Sequence, residues 1–225
     1  MKQLELSSTM PNMPKLYLLT NDDDFELLYQ KLEIALSTGL IALLQIRRKQ
    51  VLSMLNGALE LFKEAQQIIK LAKIHNVPVV INDDMELAEK LGVGVHLGQT
   101  DGSIDTALQS LSPHQIIGRT CHGDIELVKE AKNDGASYAA MGAVFTSTTK
   151  PNANIISRQQ LLEGCQQGMP ICVIGGLTAE NISELRDLPI ALVAVVGDIM
   201  DLPIADIAQR CFEWQQAFSE WKTPT

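Results

Sequence analysis

Cysteine is scarce in this chain, and the 4 residues present, Cys121, Cys165, Cys172 and Cys211, form no CxxC or Cys/His spacing. A disulfide framework and a recognisable zinc site are therefore excluded, and reduced thiols in a cytoplasmic protein are expected. Long apolar runs are also missing: no stretch approaches the roughly 18 consecutive apolar residues of a membrane span. The opening MKQLELSSTMPNMPK lacks the apolar centre of a secretory signal, so residues 1–14 read as an N-terminal extension. Positive charge is in deficit, with 18 Lys and Arg against 27 Asp and Glu and a formal net charge of −9. A general binder of nucleic acid or membrane surfaces would repel its partner unless cations were gathered on one patch. Small anionic ligands remain allowed. Linkers rich in Pro, Gly and Ser, low-complexity tracts and short repeats are absent, so the 225 residues read as a single domain.

Short apolar runs bounded by turn residues recur at 15–20, 41–47, 77–82, 93–98, 115–120, 138–145, 170–174 and 191–196. Most are continuously apolar, the pattern of strands buried on both faces in a parallel sheet. Between them lie segments of helical periodicity at 25–37, 53–74, 84–91, 104–111, 125–133, 157–165 and 179–186, with a last one at 204–218. Ser53 and Thr178 are expected to cap helix starts, Asp101 lies at the mouth of another, and Gly39, Gly92 and Gly135 stand where helices should stop. Methionines such as Met54 and Met85 read as core filler. Eight strand–helix units suit an α/β protein of the single (β/α)8 TIM barrel type with parallel strands, and a doubly wound open sheet is the competing architecture.

In either architecture the reactive face lies at the carboxyl ends of the strands. Three cations of the second strand, Arg47, Arg48 and Lys49, joined by Lys150, would make an anion pocket in an otherwise acidic protein, although a solvated basic turn is the commoner reading of QIRRK alone; if Gln45, Arg47 and Lys49 point one way, the strand offers a row of donors on one side. Asp83 and Asp101 follow neighbouring strands, where two carboxylates beside phosphates make a Mg²⁺ site, or where each caps the next helix. The hydroxyl run 146–149 and the glycines Gly175, Gly176 and Gly197 suit a phosphomonoester, as ordinary turn composition also would. His96 and His122 stand at strand ends and could transfer protons, but no nucleophilic constellation accompanies them, and a satisfied supporting histidine is the commoner fate.

Taken in order, QIRRK, INDD, GVHLGQTD, IGRTCH, MGAVFTSTTKPNA, VIGGLTAENI and AVVGDI resemble the motifs of the thiamine-phosphate synthase (thiamine-phosphate pyrophosphorylase) family, over about residues 16 to 199. The resemblance implies a TIM-barrel transferase that joins 4-amino-2-methyl-5-hydroxymethylpyrimidine diphosphate to a thiazole phosphate and releases pyrophosphate. It implies that Gln45, Arg47, Lys49, Asn82, Thr120 and Lys150 hold the pyrimidine diphosphate and that Asp83 and Asp101 bind Mg²⁺. Ser147, Thr148, Thr149, Gly176, Val196 and Gly197 would hold the thiazole phosphate, and Lys49, Lys150 and Arg47 would assist departure of pyrophosphate. This chain departs from the family pattern at Arg48 (usually acidic), Gly197 (usually serine), Ala143 (usually proline) and Val93 (usually Asp), while Thr120 replaces a serine. A thiazole tautomerase and a non-catalytic barrel that binds thiamine precursors are the alternatives. The expected partners are small molecules, with no nucleic acid and no membrane, and a homodimer is compatible with the barrel helices.

Overall fold

The computed structural model describes residues 13–146 and 154–221. Its eight strands are β1 (Lys15–Leu19), β2 (Ile41–Ile46), β3 (Val79–Asn82), β4 (Gly94–Leu97), β5 (Ile117–His122), β6 (Tyr138–Met141), β7 (Ile171–Ile174) and β8 (Leu192–Val195). All pair in parallel and in chain order, and β8 returns to β1, so the sheet closes into a barrel. The open-sheet alternative is thereby removed.

Outside the strands run α1 (Phe25–Ser37), α2 (Lys49–Leu52), α3 (Gly57–Ile74), α4 (Met85–Leu91), α5 (Ile104–Ser110), α6 (Ile125–Asn133), α7 (Arg158–Cys165), α8 (Gly197–Met200) and α9 (Ile207–Ser219). Local chemistry sets many of their starts: Asp24, Asp84, Ser103 and Asp124 each accept a backbone N–H from the first turn, and Ser157 with Gln160 forms a capping box. Gly39, Gly92 and Gly135 do take positive φ at helix ends, 71°, 67° and 91°.

Four details differ from the sequence expectations. Ser53 does not start a helix; it ends the short α2, and Asn56, at φ 63°, turns the chain left-handed before α3. The helix-start carboxylate expected at Asp101 gives way to Ser103, whose hydroxyl accepts from Thr106 N. Residues 179–186 form a 3₁₀ helix over Asn181–Leu185, and Ile182, Leu185 and Leu188 are all buried, a spacing of three that matches the 3₁₀ period. Thr178 still caps this turn, accepting from Asn181 N at 3.2 Å. Met54 is 61 % exposed and fills no core, whereas Met85 packs against it.

Strand alternation divides the apolar residues into two cores. One set, including Leu16, Leu18, Leu44, Val95 and Val193, packs outward against the helices. The other, Tyr17, Leu19, Leu43, Val80, Tyr138, Ala140, Cys172, Leu192 and Ala194, fills the barrel. On the same parity as this inner set come Gln45, Asn82, His96 and Thr120, so the strand period alone aims those polar side chains inward and toward the mouth. None of the helices among the described residues is long and apolar enough to cross a membrane.

Candidate active site

Lys49, the first residue of α2, and Asp83, just past β3, meet at the mouth with Nζ 3.0 Å from Oδ2. Asn82 Nδ2 donates to the same Asp83 oxygen at 2.6 Å. Asp83 holds φ 64°, and its backbone N–H donates to His96 O at 2.8 Å, which pins the turn to the next strand. Half-burial pushes the Asp83 carboxyl up, but the hydrogen bond and charge of Lys49 and the hydrogen bond from Asn82 hold it below the usual carboxylate range.

Asp101 approaches the same point from the loop after β4. A Cβ added to Gly98 would collide with Asp101 Oδ2 and lie 3.8 Å from Asp83 Oδ1, so the two carboxylates flank the bare Gly98 Cα. Arg119 fixes that loop by donating from Nη1 to Gly98 O at 2.8 Å and Gly102 O at 2.9 Å, while Gln99 Nε2 donates to Thr120 O. Two carboxylates are a donor set of the kind that binds a hard divalent cation such as Mg²⁺, which is held through one or two carboxylates. No group of three or more His, Cys, Asp or Glu that could hold a metal ion occurs among the described residues.

The neighbouring cations of QIRRK have different fates. Arg48 is buried and faces away from the mouth: Nε meets Glu64 Oε2 at 2.9 Å, and Nη1 donates to Asn21 O and Asp23 O at 2.8 and 2.7 Å. Arg48 therefore belongs neither to the expected anion pocket nor to a solvated turn, because Glu64 and two main-chain carbonyls hold its guanidinium. Arg47, half-buried, shares the inward parity of Gln45, and its backbone is clamped to the β1 exit, where Thr20 Oγ1 accepts from Arg47 N at 2.8 Å and donates to Arg47 O at 3.1 Å.

Beneath the mouth a continuous polar chain crosses the barrel. Gln45 Nε2 donates to Tyr17 Oη at 2.7 Å, Tyr17 Oη lies 2.9 Å from Tyr138 Oη, Tyr138 Oη lies 2.9 Å from His96 Nδ1, and His96 Nε2 lies 2.9 Å from Thr120 Oγ1. Strand register explains the His96–Tyr138 contact: His96 and Tyr138 both pair with Gly118, and a Cβ there would run into the Tyr138 ring and its Oη and sit 2.6 Å from His96 Nδ1. Complete burial pushes the His96 imidazole down to about 4, with Asp83 opposing and Arg119 adding to the shift. His96 is thus the satisfied supporting histidine that the sequence suggests. Sequence reasoning passed over Tyr17 and Tyr138 because each sits in an apolar run, LYLL and YAAM; their inward parity, shared with Gln45 and His96, was the available signal. His122 ends β5 exposed at φ 51°, with a register shift between Thr120 and His122.

Across the mouth, the loops after β7 and β8 are built mainly from backbone. Gly176 takes φ 66°, and its carbonyl accepts from Asn181 Nδ2 at 2.8 Å. Val196 precedes α8, whose first residue is Gly197. Behind them Asp198 accepts from Trp214 Nε1 at 2.7 Å and Ala179 N at 3.3 Å, tying the two loops to α9, and burial pushes its carboxyl up. A Cβ at Gly197 would lie 2.6 Å from Asp201 Oδ2, so a carboxylate occupies the space of the missing side chain. Ser147, Thr148, Thr149 and Lys150 lie outside the described residues.

The thiamine monophosphate synthase family matches residues 16–199 of this chain. Among solved structures, thiamine phosphate pyrophosphorylase from Pyrococcus furiosus superposes with a TM-score of 0.77 at 24 % identity, covering 93 % of this chain and 97 % of that one. The corresponding protein from Bacteroides thetaiotaomicron gives 0.58 at 17 % identity, covering 91 % and 97 %. The same barrel also serves other chemistry: 3-keto-L-gulonate-6-phosphate decarboxylase from Vibrio cholerae gives 0.70 at 12 % identity, covering 94 % and 100 %. Those likenesses carry the fold, and the match over most of the chain carries the family. With its closed barrel and the polar residues collected at one mouth, the chain belongs to the thiamine monophosphate synthase family of transferases.

Proposed function

We propose that this protein joins 4-amino-2-methyl-5-hydroxymethylpyrimidine diphosphate to a thiazole phosphate, giving thiamine phosphate and pyrophosphate. The observation that carries this reading is the convergence of Lys49, Asn82, Asp83 and Asp101 at one end of the barrel, above Gln45 and Thr120. That set combines a cation, paired carboxylates and neutral hydrogen-bonding groups, which is what a diphosphate with a divalent counter-ion and a polar ring requires.

In this reading Gln45 and Asn82 position the pyrimidine and its diphosphate, and Thr120 hydrogen-bonds to the diphosphate end. Lys49 and Arg47, together with Lys150, neutralise charge that grows on the leaving group. Asp83 and Asp101 would hold Mg²⁺, which supplies charge neutralisation on the pyrophosphate when bound. The C–O bond at the exocyclic methylene breaks with its electron pair on the pyrophosphate oxygen. The electron-rich aminopyrimidine carries the positive charge until the lone pair of the thiazole nitrogen forms the new C–N bond. No proton need be removed from the nucleophile, so no enzyme base is called for in this step. The residues around Gly176, Val196 and Gly197, with Ser147, Thr148 and Thr149, would orient the thiazole phosphate, and positioning plus electrostatics supply the catalysis.

The test is an assay with both substrates and Mg²⁺, following thiamine phosphate and pyrophosphate. Formation of both is expected. Tight binding of either substrate without product would replace this reading with that of a precursor-binding barrel, and isomerisation of a thiazole tautomer alone would replace it with the tautomerase.

A further inference from the structure

The five-residue chain inside the barrel has a direction that hydrogen counting determines. Gln45 Nε2 is a donor only, so Tyr17 Oη accepts from it. Among the described residues the remaining partner of Tyr17 Oη is Tyr138 Oη, and leaving the proton of a completely buried phenol unpaired is costly. Tyr17 therefore donates to Tyr138. Tyr138 has then accepted one bond, and its own proton goes to the other partner, His96 Nδ1. With Nδ1 accepting, a neutral imidazole carries its hydrogen on Nε2 and donates it to Thr120 Oγ1. With Gln45 donating, a reversed link would leave the Tyr17 proton without an acceptor among the described residues.

We infer that Tyr17, Tyr138 and His96 are positioning residues that transmit the donor sense of Gln45 across the barrel, so that Thr120 accepts from His96 and turns its own O–H toward the ligand. Thr120 then enters the site as a hydrogen-bond donor, the sense an anionic diphosphate oxygen needs. This consequence rests on the proposed function above, whereas the direction of the chain rests on geometry alone. Gly118 is part of the same construction, since any side chain there would separate His96 from Tyr138.

The experiment has two arms. In the first, ¹⁵N chemical shifts of the ligand-free protein are measured near pH 7, with His96 assigned by comparison with His96→Asn. A neutral ring protonated on Nε2 is expected, together with a mixture of tautomers in Tyr138→Phe. A wild-type ring protonated on Nδ1, or a Tyr138→Phe ring unchanged from wild type, overturns the inference. In the second arm, calorimetry compares affinity for the pyrimidine diphosphate. Thr120→Val and Tyr138→Phe should each weaken it by about 10-fold, the scale of one hydrogen bond to a charged group, and Thr120→Ser should restore it. A folded Thr120→Val protein that binds as tightly as wild type sinks the donor role of Thr120. If the wild-type protein shows the expected tautomer yet binds no pyrimidine diphosphate, the proposed function fails while the chain direction stands.

Discussion

The two sides of the barrel mouth are built in contrasting ways. Over β2 to β5 the lining consists of side chains, each held by another: Lys49 by Asp83, Asp83 by Asn82, Asp101 beside Gly98, and Thr120 by His96. Over β7 and β8 it consists of Gly176, Val196 and Gly197, with the supporting carboxylates Asp198 and Asp201 behind or beside the backbone. Charge that must be neutralised during bond breaking is best met by groups already oriented, because reorientation would otherwise raise the barrier. In the reaction proposed above, a second substrate that only has to be placed can be met by backbone and small residues.

The sharpest test of this contrast is Asp83→Ala together with Asp101→Ala. Turnover should fall by on the order of 10³-fold or more, with loss of its dependence on Mg²⁺ concentration, measured by pyrophosphate release. Unchanged activity would remove the metal assignment. Next in size is an acid effect from the interior chain. His96 sits at about 4 in the folded protein against about 6.5 when unfolded, so between those values the unfolded chain binds the extra proton. Stability from this group is complete above about pH 6.5 and is lost as pH falls toward 4, an order of 3 kcal/mol in all. Denaturant titrations at several pH values should show the loss, and His96→Asn should flatten it.

Gly118→Ala separates His96 from Tyr138 beneath the mouth, and should cost about 1–3 kcal/mol of stability, the range for overpacking a close-packed interior. Equal stability of this variant and wild type in urea would show that the contact yields more easily than its geometry implies. The smallest effect is expected on the backbone side. Gly197→Ser must displace only the end of the Asp201 side chain, and its hydroxyl should tighten the thiazole phosphate by a few-fold, about 1 kcal/mol. A KM for the thiazole phosphate that rises instead would mean that Asp201 is needed where it stands.

Much of the barrel is legible in the sequence because both-face burial leaves an unbroken apolar run for each strand, from Leu16 in β1 to Val195 in β8. The mouth is legible for a related reason: polar residues such as Asn82 and Asp83 stand out where an apolar run ends. What stays hidden is whatever depends on partners far along the chain. Arg48 and Lys49 are adjacent and chemically alike, yet partners elsewhere in the chain, Glu64 and the carbonyls of Asn21 and Asp23, determine that one of them is buried. Tyr17 and Tyr138, separated by 121 positions, look like core until register brings their hydroxyls together. The segment before α3 misleads because Met54 and Leu55 extend an apolar rhythm through residues that turn outward, Leu55 being 94 % exposed.

One last contact bears on how the ring is held shut. Met200 O, at the end of α8, accepts from Lys31 Nζ of α1 at 2.6 Å and from Asn21 Nδ2 after β1 at 3.1 Å, and Lys31 also reaches Asp23 at 2.7 Å. The first and last units of the barrel are thus stitched by side chains as well as by the β1–β8 ladder. Where the chain happens to start and stop is then secondary to closure. A circular permutant with the ends joined by a linker and a new opening in an exposed turn on the face away from the mouth should close the same ring and keep the same site.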